Sequence, residues 1–249
     1  MTIGITRRAG LAAALALGLS PSAQAQDADG VQTGEAQIPT DGGAIAGIFA
    51  KPPGAGPFPI VLVAENGTGL DRVVIDACRG LAKEGFMAVA PALFAGAPPD
   101  GTLMQRLDAT ASWAAQNGGD HMRTGIVGFG PGGRLAWLYD AFSPALKAAI
   151  AWYGPLQGTT SPAQPMTALD AAGHLNAPLL GLYGKNDGTP QRLLLDAEAR
   201  AKKAGKTAEI VSYVGASRDF AVPGPSFDQA ATLDGWQRTL KWLREHGVA

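Results

Sequence analysis

GIVGFGPGGRLAW, residues 125–137, reads as a strand that turns sharply into a helix. Ile126 and Val127 supply the apolar strand, Gly128 to Gly132 form a Gly-x-x-x-Gly turn, and small residues open the helix. Corners of this kind present a Ser or Cys at the middle position, held on strained backbone with its reactive atom exposed. Here the middle position is Gly130, which has no side chain. The residue after it ordinarily lends a backbone N–H to a developing oxyanion, but Pro131 has none.

The flanking segments repeat the strand-and-helix unit. Apolar runs at 60–64, 86–90 and 148–153 suit strands buried on both faces of a parallel sheet. Helices are expected at 71–84, 103–116, 134–142, 191–204 and 227–246. In the first, Val74, Ala77, Cys78 and Leu81 share one face and Gly85 closes the helix. Strands are expected at 125–128, 178–183 and 208–214, and a hairpin at 35–38 and 44–51 around Thr40-Asp41-Gly42-Gly43. The alternation predicts an α/β protein with a mostly parallel central sheet and helices on both faces.

The first 25 residues read as a cleavable secretory signal: Arg7-Arg8, an apolar run at 9–19, then Ala23-Gln24-Ala25 as a small-residue cleavage site. The run is too short for the roughly 20 residues that span a bilayer, so no stable membrane span is expected. Arg7-Arg8 fits either twin-arginine or general export, and the Ala/Gly-rich, mildly apolar core favours the former. The expected location is periplasmic or secreted. Residues 26–34 read as a polar tether and 35–249 as a single domain. The net charge is −1, from 20 basic and 21 acidic residues without a basic patch, which argues against nucleic acid as a partner. One cysteine, Cys78, excludes an internal disulfide. No Cys/His cluster has zinc spacing, so neither metal nor cofactor is expected. The oligomeric state is left open.

In this order the chain resembles the dienelactone hydrolase family of the α/β-hydrolase fold. Four stretches carry the likeness: residues 50–63 with their Pro/Gly-rich approach; Glu65-Asn66, Gly69-Leu70, residues 81–86 and residues 88–91; the corner at 125–135; and Leu182-Tyr183-Gly184-Lys185-Asn186-Asp187. The resemblance implies ester or lactone hydrolysis by a Cys nucleophile, a His base and an Asp, with a Glu beside the Cys. Asp187 matches the acid and Glu65 the neighbouring Glu. The nucleophile position falls on Gly130. The His position, in Tyr213-Val214-Gly215-Ala216-Ser217-Arg218-Asp219-Phe220, falls on Arg218. The triad is therefore degenerate, with Asp187 as a vestigial acid.

Acyl transfer needs a nucleophile, a base within reach of it and oxyanion donors. Gly130 removes the first, Arg218 stays protonated and cannot serve as the second, and Pro131 removes one of the third. Inactivity by the Cys/Ser-His-Asp route is expected, which leaves a hydrolase by resemblance that lacks the hydrolase machinery. Cys78, Ser217, His121, His174 and His246 read as structural or surface residues rather than replacements. An active hydrolase that uses an unrecognised site stays open, and so do three alternatives at the old pocket. Glu65 and Asp187 form a carboxylate pair suited to acid–base work if their environments differ. Arg218 forms a buried salt bridge with Asp187. Or a small organic anion binds in the old pocket, between the helix start at Gly132 and Gly133 and the Arg218 guanidinium, with Glu65 and Pro131 also lining it.

Overall fold

The computed structural model describes residues 24–26, 30–186 and 188–249. The expected signal peptide lies outside the described residues except for its last two positions, and Asp187 lies outside them too.

The chain enters the sheet through antiparallel strands β1 (Gln24–Gln26), β2 (Gln32–Thr40) and β3 (Gly43–Lys51). Strands and helices then alternate: β4 (Phe58–Ala64), α1 (Arg72–Lys83), β5 (Met87–Pro91), α2 (Asp100–Gln116), β6 (Gly119–Phe129), α3 (Pro131–Phe142), β7 (Ala148–Trp152), α4 (Ala168–Ala171), β8 (Leu179–Asn186), α5 (Gln191–Lys203), β9 (Ala208–Ser217) and α6 (Gln229–Glu245). Among the described residues they form one nine-stranded sheet in the order β1-β2-β3-β5-β4-β6-β7-β8-β9. β3 meets β5 antiparallel, and every pairing from β5 across to β9 is parallel.

Successive residues of a strand face opposite sides, so the apolar runs feed two cores. Ile60, Leu62 and Ala64 of β4 pack with α2, α3, α4 and α5; Val61 and Val63 pack with α1 and α6. That division explains why a central strand reads as an unbroken apolar run rather than an alternation. Asp71 is the cap of α1 and not its first residue: its Oδ1 accepts from the Val73 and Val74 amides at 2.9 and 3.2 Å.

Some boundaries differ from the sequence expectations, each for a local reason. The tether expected at 26–34 is shorter, because backbone pairing of Gln32 to Lys51 starts β2 ahead of any apolar signal. β6 begins at Gly119, where Gly119 and Asp120 pair with Phe58 and Pro59 through a bulge. Its polar opening, with Arg123 Nε 2.8 Å from Asp120 Oδ2, carries no strand signature. α4 is a single turn built on a Thr167–Asp170 capping box, too short to show a helical period.

Candidate functional site

The site lies where the central strands end. β6 delivers the chain into a corner at Gly130 with φ 52° and ψ −119°, and α3 starts at once behind it. The Gly130 N–H donates to the Trp152 carbonyl at 2.9 Å, which ties the corner to the end of β7. Pro131 occupies the first helical position, where its missing N–H costs the helix nothing.

The glycines of this corner divide into two kinds. A Cβ on Gly128 would stand 2.0 Å from the Gly132 carbonyl oxygen, one on Gly132 would stand 2.2 Å from that of Ala64, and one on Gly133 would stand 2.7 Å from that of Trp152. These three glycines let α3 press directly onto the ends of β4 and β7. Gly130 differs: its nearest neighbours would be atoms of Asn66 at 3.9 Å. Packing does not force a glycine there. The backbone is bent as it would be to display a side chain, with room for one and none present.

The loop after β4 covers the corner. Glu65 is 1% exposed, and its Oε1 accepts from the Leu93 amide at 2.9 Å and the Phe94 amide at 3.4 Å. Its Oε2 is buried without a hydrogen-bond partner. A cavity of about 260 Å³ opens beside the corner, with Phe94, Pro131, Arg134 and Pro155 among its walls. Arg134 is committed elsewhere: its two terminal nitrogens hold both Asp100 carboxylate oxygens at 2.8 and 2.7 Å, and Nη2 also donates to the Met166 carbonyl. This bidentate clasp joins the first turns of α2 and α3 and leaves little free positive charge for a ligand.

The model of the dienelactone hydrolase family matches residues 45–102 and 97–247. The chain belongs to the dienelactone hydrolase family. It is 39% identical, over 97% of both chains, to an Escherichia coli K12 protein named "Putative carboxymethylenebutenolidase". It is 38% identical to a Methylorubrum extorquens protein of the same name, over 98% of this chain and 94% of that one. The crystal structure of a "Putative Dienelactone Hydrolase" from Klebsiella pneumoniae superposes with TM-score 0.83 at 39% identity, covering 86% of this chain and 99% of that one. The dienelactone hydrolase-like promiscuous phosphotriesterase P91, at 18% identity and TM-score 0.71 over 87% of this chain and 98% of that one, shares the fold.

Against this family pattern, the acid position assigned to Asp187 lies outside the described residues. Arg218, at the base position, is exposed on the turn after β9. Its Nη2 lies 3.9 Å from where a Cβ on Gly188 would stand. The expectation that Arg218 belongs to a buried pair is corrected by that exposure: a solvent-facing guanidinium contributes little to stability through an ion pair. Cys78 faces the core from α1, and burial pushes its thiol up to about 12. Ser217 pairs with Asn186 across β8 and β9. His121 lies inside β6 rather than ahead of a strand, and is exposed. His174 borders a separate cavity with Met104, Leu138 and Met166. His246 packs edge-on against Trp242 at 4.3 Å.

One residue at the strand ends escaped sequence reasoning. Tyr153 follows β7 with φ 42°, a conformation that side chains avoid, and its buried hydroxyl has no hydrogen-bond partner among the described residues. The one available signal was its place next to Gly154 at the end of an apolar run.

Proposed function

We propose that this member of the dienelactone hydrolase family retains the scaffold of an ester or lactone hydrolase without the covalent step. The observation that carries the reading is the corner at Gly130, which keeps display geometry and would take a Cβ without a clash but offers no reactive atom. In the covalent route a thiolate or alkoxide adds to the ester carbonyl, the oxyanion is held by backbone donors, and an imidazole passes its proton to the leaving alkoxide. This chain has glycine at the attacking position, proline where a donor would be, and arginine at the imidazole position. Loss of a nucleophile alone costs up to about a million-fold in rate. Loss of one oxyanion donor costs about 3–4 kcal/mol.

The test is a stopped-flow assay of the purified protein with a short activated ester. No burst, and a steady rate equal to that of buffer, is expected. A burst stoichiometric with protein would refute the reading. Hydrolysis that persists unchanged in Gly130→Ala would place an active site elsewhere.

The rival reading of a small organic anion between α3 and Arg218 gains no support from the site. Arg134 is neutralised by Asp100, Arg218 is exposed beside Gly188, and the buried Glu65 carboxylate borders the same corner. Export is a separate part of the proposal and rests on Arg7-Arg8, the apolar run and Ala23-Gln24-Ala25. Twin-arginine export is favoured. N-terminal sequencing of protein recovered from the periplasm should begin at Gln26; an intact Met1 on cytoplasmic protein would overturn it.

A further inference from the structure

We propose that a second cavity, on the opposite side of the sheet from the one beside Pro131, binds a small organic cation with an apolar or aromatic body. The cavity measures about 570 Å³ and opens between α1, the segment 221–223 and α6. That volume lies within the range of small-molecule sites. Its walls include Val73, Ala77, Phe129, Val222 and Trp236. Phe129 immediately precedes the Gly130 corner, but its ring belongs to the core shared by α1 and α6.

The indole of Trp236 is set by the fold. It rests on α1 at Gly80, where a Cβ would stand 2.9 Å from Cζ2. Two aromatic residues thus border a mostly apolar chamber, and aromatic faces attract cations.

The charge at the mouth selects among apolar ligands. Asp71 and Asp76 border the cavity together with Arg72. Asp71 is fixed in place, since Oδ1 caps α1 and Oδ2 accepts from the Thr68 hydroxyl at 2.7 Å. Those are hydrogen bonds from neutral donors, so its charge remains. Arg72 Nε meets Asp76 Oδ2 at 3.2 Å, but the Arg72 side chain is 85% exposed and the pair is weak. The rim is therefore net negative. Behind Phe129, with ring centroids 6.4 Å apart, lies Tyr153. Its phenol is pushed up by burial and then by the nearby carboxylates of Asp219 and Asp71. An anion entering this chamber meets the Asp71 and Asp76 carboxylates, whereas a cation with a hydrocarbon body meets those carboxylates and the aromatic rings together. This inference does not depend on whether the family reaction survives.

Benzyltrimethylammonium is the probe, with benzoate and benzyl alcohol as ring-matched controls. Binding is followed by tryptophan fluorescence and by melting temperature. The cation should bind at least about tenfold tighter than benzoate, a difference readily resolved in Kd. Asp76→Asn, on an exposed position, should weaken the cation about two- to fivefold, as expected for one partly screened charge. Ala221→Trp should occupy part of the chamber and weaken binding with the melt unchanged. Equal or tighter binding of benzoate overturns the proposal, and so does undiminished binding in a folded Ala221→Trp protein. If Ala221→Trp fails to fold, the ligand comparison and Asp76→Asn decide. No response to the cation at millimolar concentration also overturns it.

Discussion

Replacing Gly130 with Cys tests the geometry on which the functional reading stands. The new Cβ would have no neighbour closer than Asn66 at 3.9 Å, so no clash is introduced. The cost comes from the backbone alone, since φ 52° and ψ −119° suit glycine and strain every other residue. Residues held in such regions cost about 1–3 kcal/mol. For a domain of this size each kcal/mol lowers Tm by about 2–4 °C, so Gly130→Cys should melt roughly 2–12 °C below the parent. Gly132→Cys is the control. There the Cβ would stand 2.2 Å from the Ala64 carbonyl oxygen, and the helix would have to leave the sheet. It should lose more than about 4 kcal/mol or fail to fold. Denaturant melts measure both. A second assay uses the chemistry of the thiol. Cys78 is buried with its thiol pushed up to about 12, so the native parent should resist a small alkylating reagent. Gly130 is buried too, but a Cβ there meets no clash, so Gly130→Cys should add one thiol that labels faster than Cys78. If the two variants are equally destabilised, or if position 130 does not label in folded protein, the corner does not have the shape described and the argument fails.

Other outcomes follow from buried groups. Asp140 is fully buried, and burial pushes its carboxyl up to about 7 from 3.8. The folded state holds this proton more tightly than the unfolded chain, so the stability gained from it is present below about pH 4 and is lost as pH rises towards 7. The full effect is at most roughly 4 kcal/mol. Melts of Asp140→Asn across that window should lack this fall, and parallel curves for parent and variant would contradict it. Arg134→Ala strands the buried Asp100 carboxylate and should cost about 3–5 kcal/mol. Asp100→Ala in addition should recover part of the loss, and strictly additive losses in a double-mutant cycle would refute the coupling. Gly235→Ala on α6 would drive a Cβ to 2.6 Å from the Trp152 ring and should cost about 1–3 kcal/mol by overpacking, read as a lower denaturant midpoint; an unchanged midpoint would count against it.

The fold was legible because its signals are local. Buried strands such as β4 announce themselves as apolar runs, and helices such as α1 by a shared apolar face and a closing Gly. The corner at 128–133 was legible because close approach of α3 to β4 and β7 demands glycine, and glycine is visible in any sequence. What stayed hidden depends on distant partners. The start of β6 is polar and is a strand only because Phe58 and Pro59 lie beside it. The clasp of Arg134 on Asp100 joins residues 34 apart in sequence. The left-handed backbone of Tyr153 shows only in its place next to Gly154, and the exposure of Arg218 follows from where β9 ends. The sequence could say which side chains are absent from the corner, but not that space for one persists.

That vacancy has an evolutionary consequence. A bend that would strain any side chain it displayed is, with glycine, at rest. A reactive side chain at this position would carry a strain that glycine escapes, so acquiring one means climbing against conformational preference before any benefit appears. Three separate replacements would have to arrive, and the first brings a penalty without a reward. Glycine at position 130 therefore biases the scaffold against taking up a reactive side chain there.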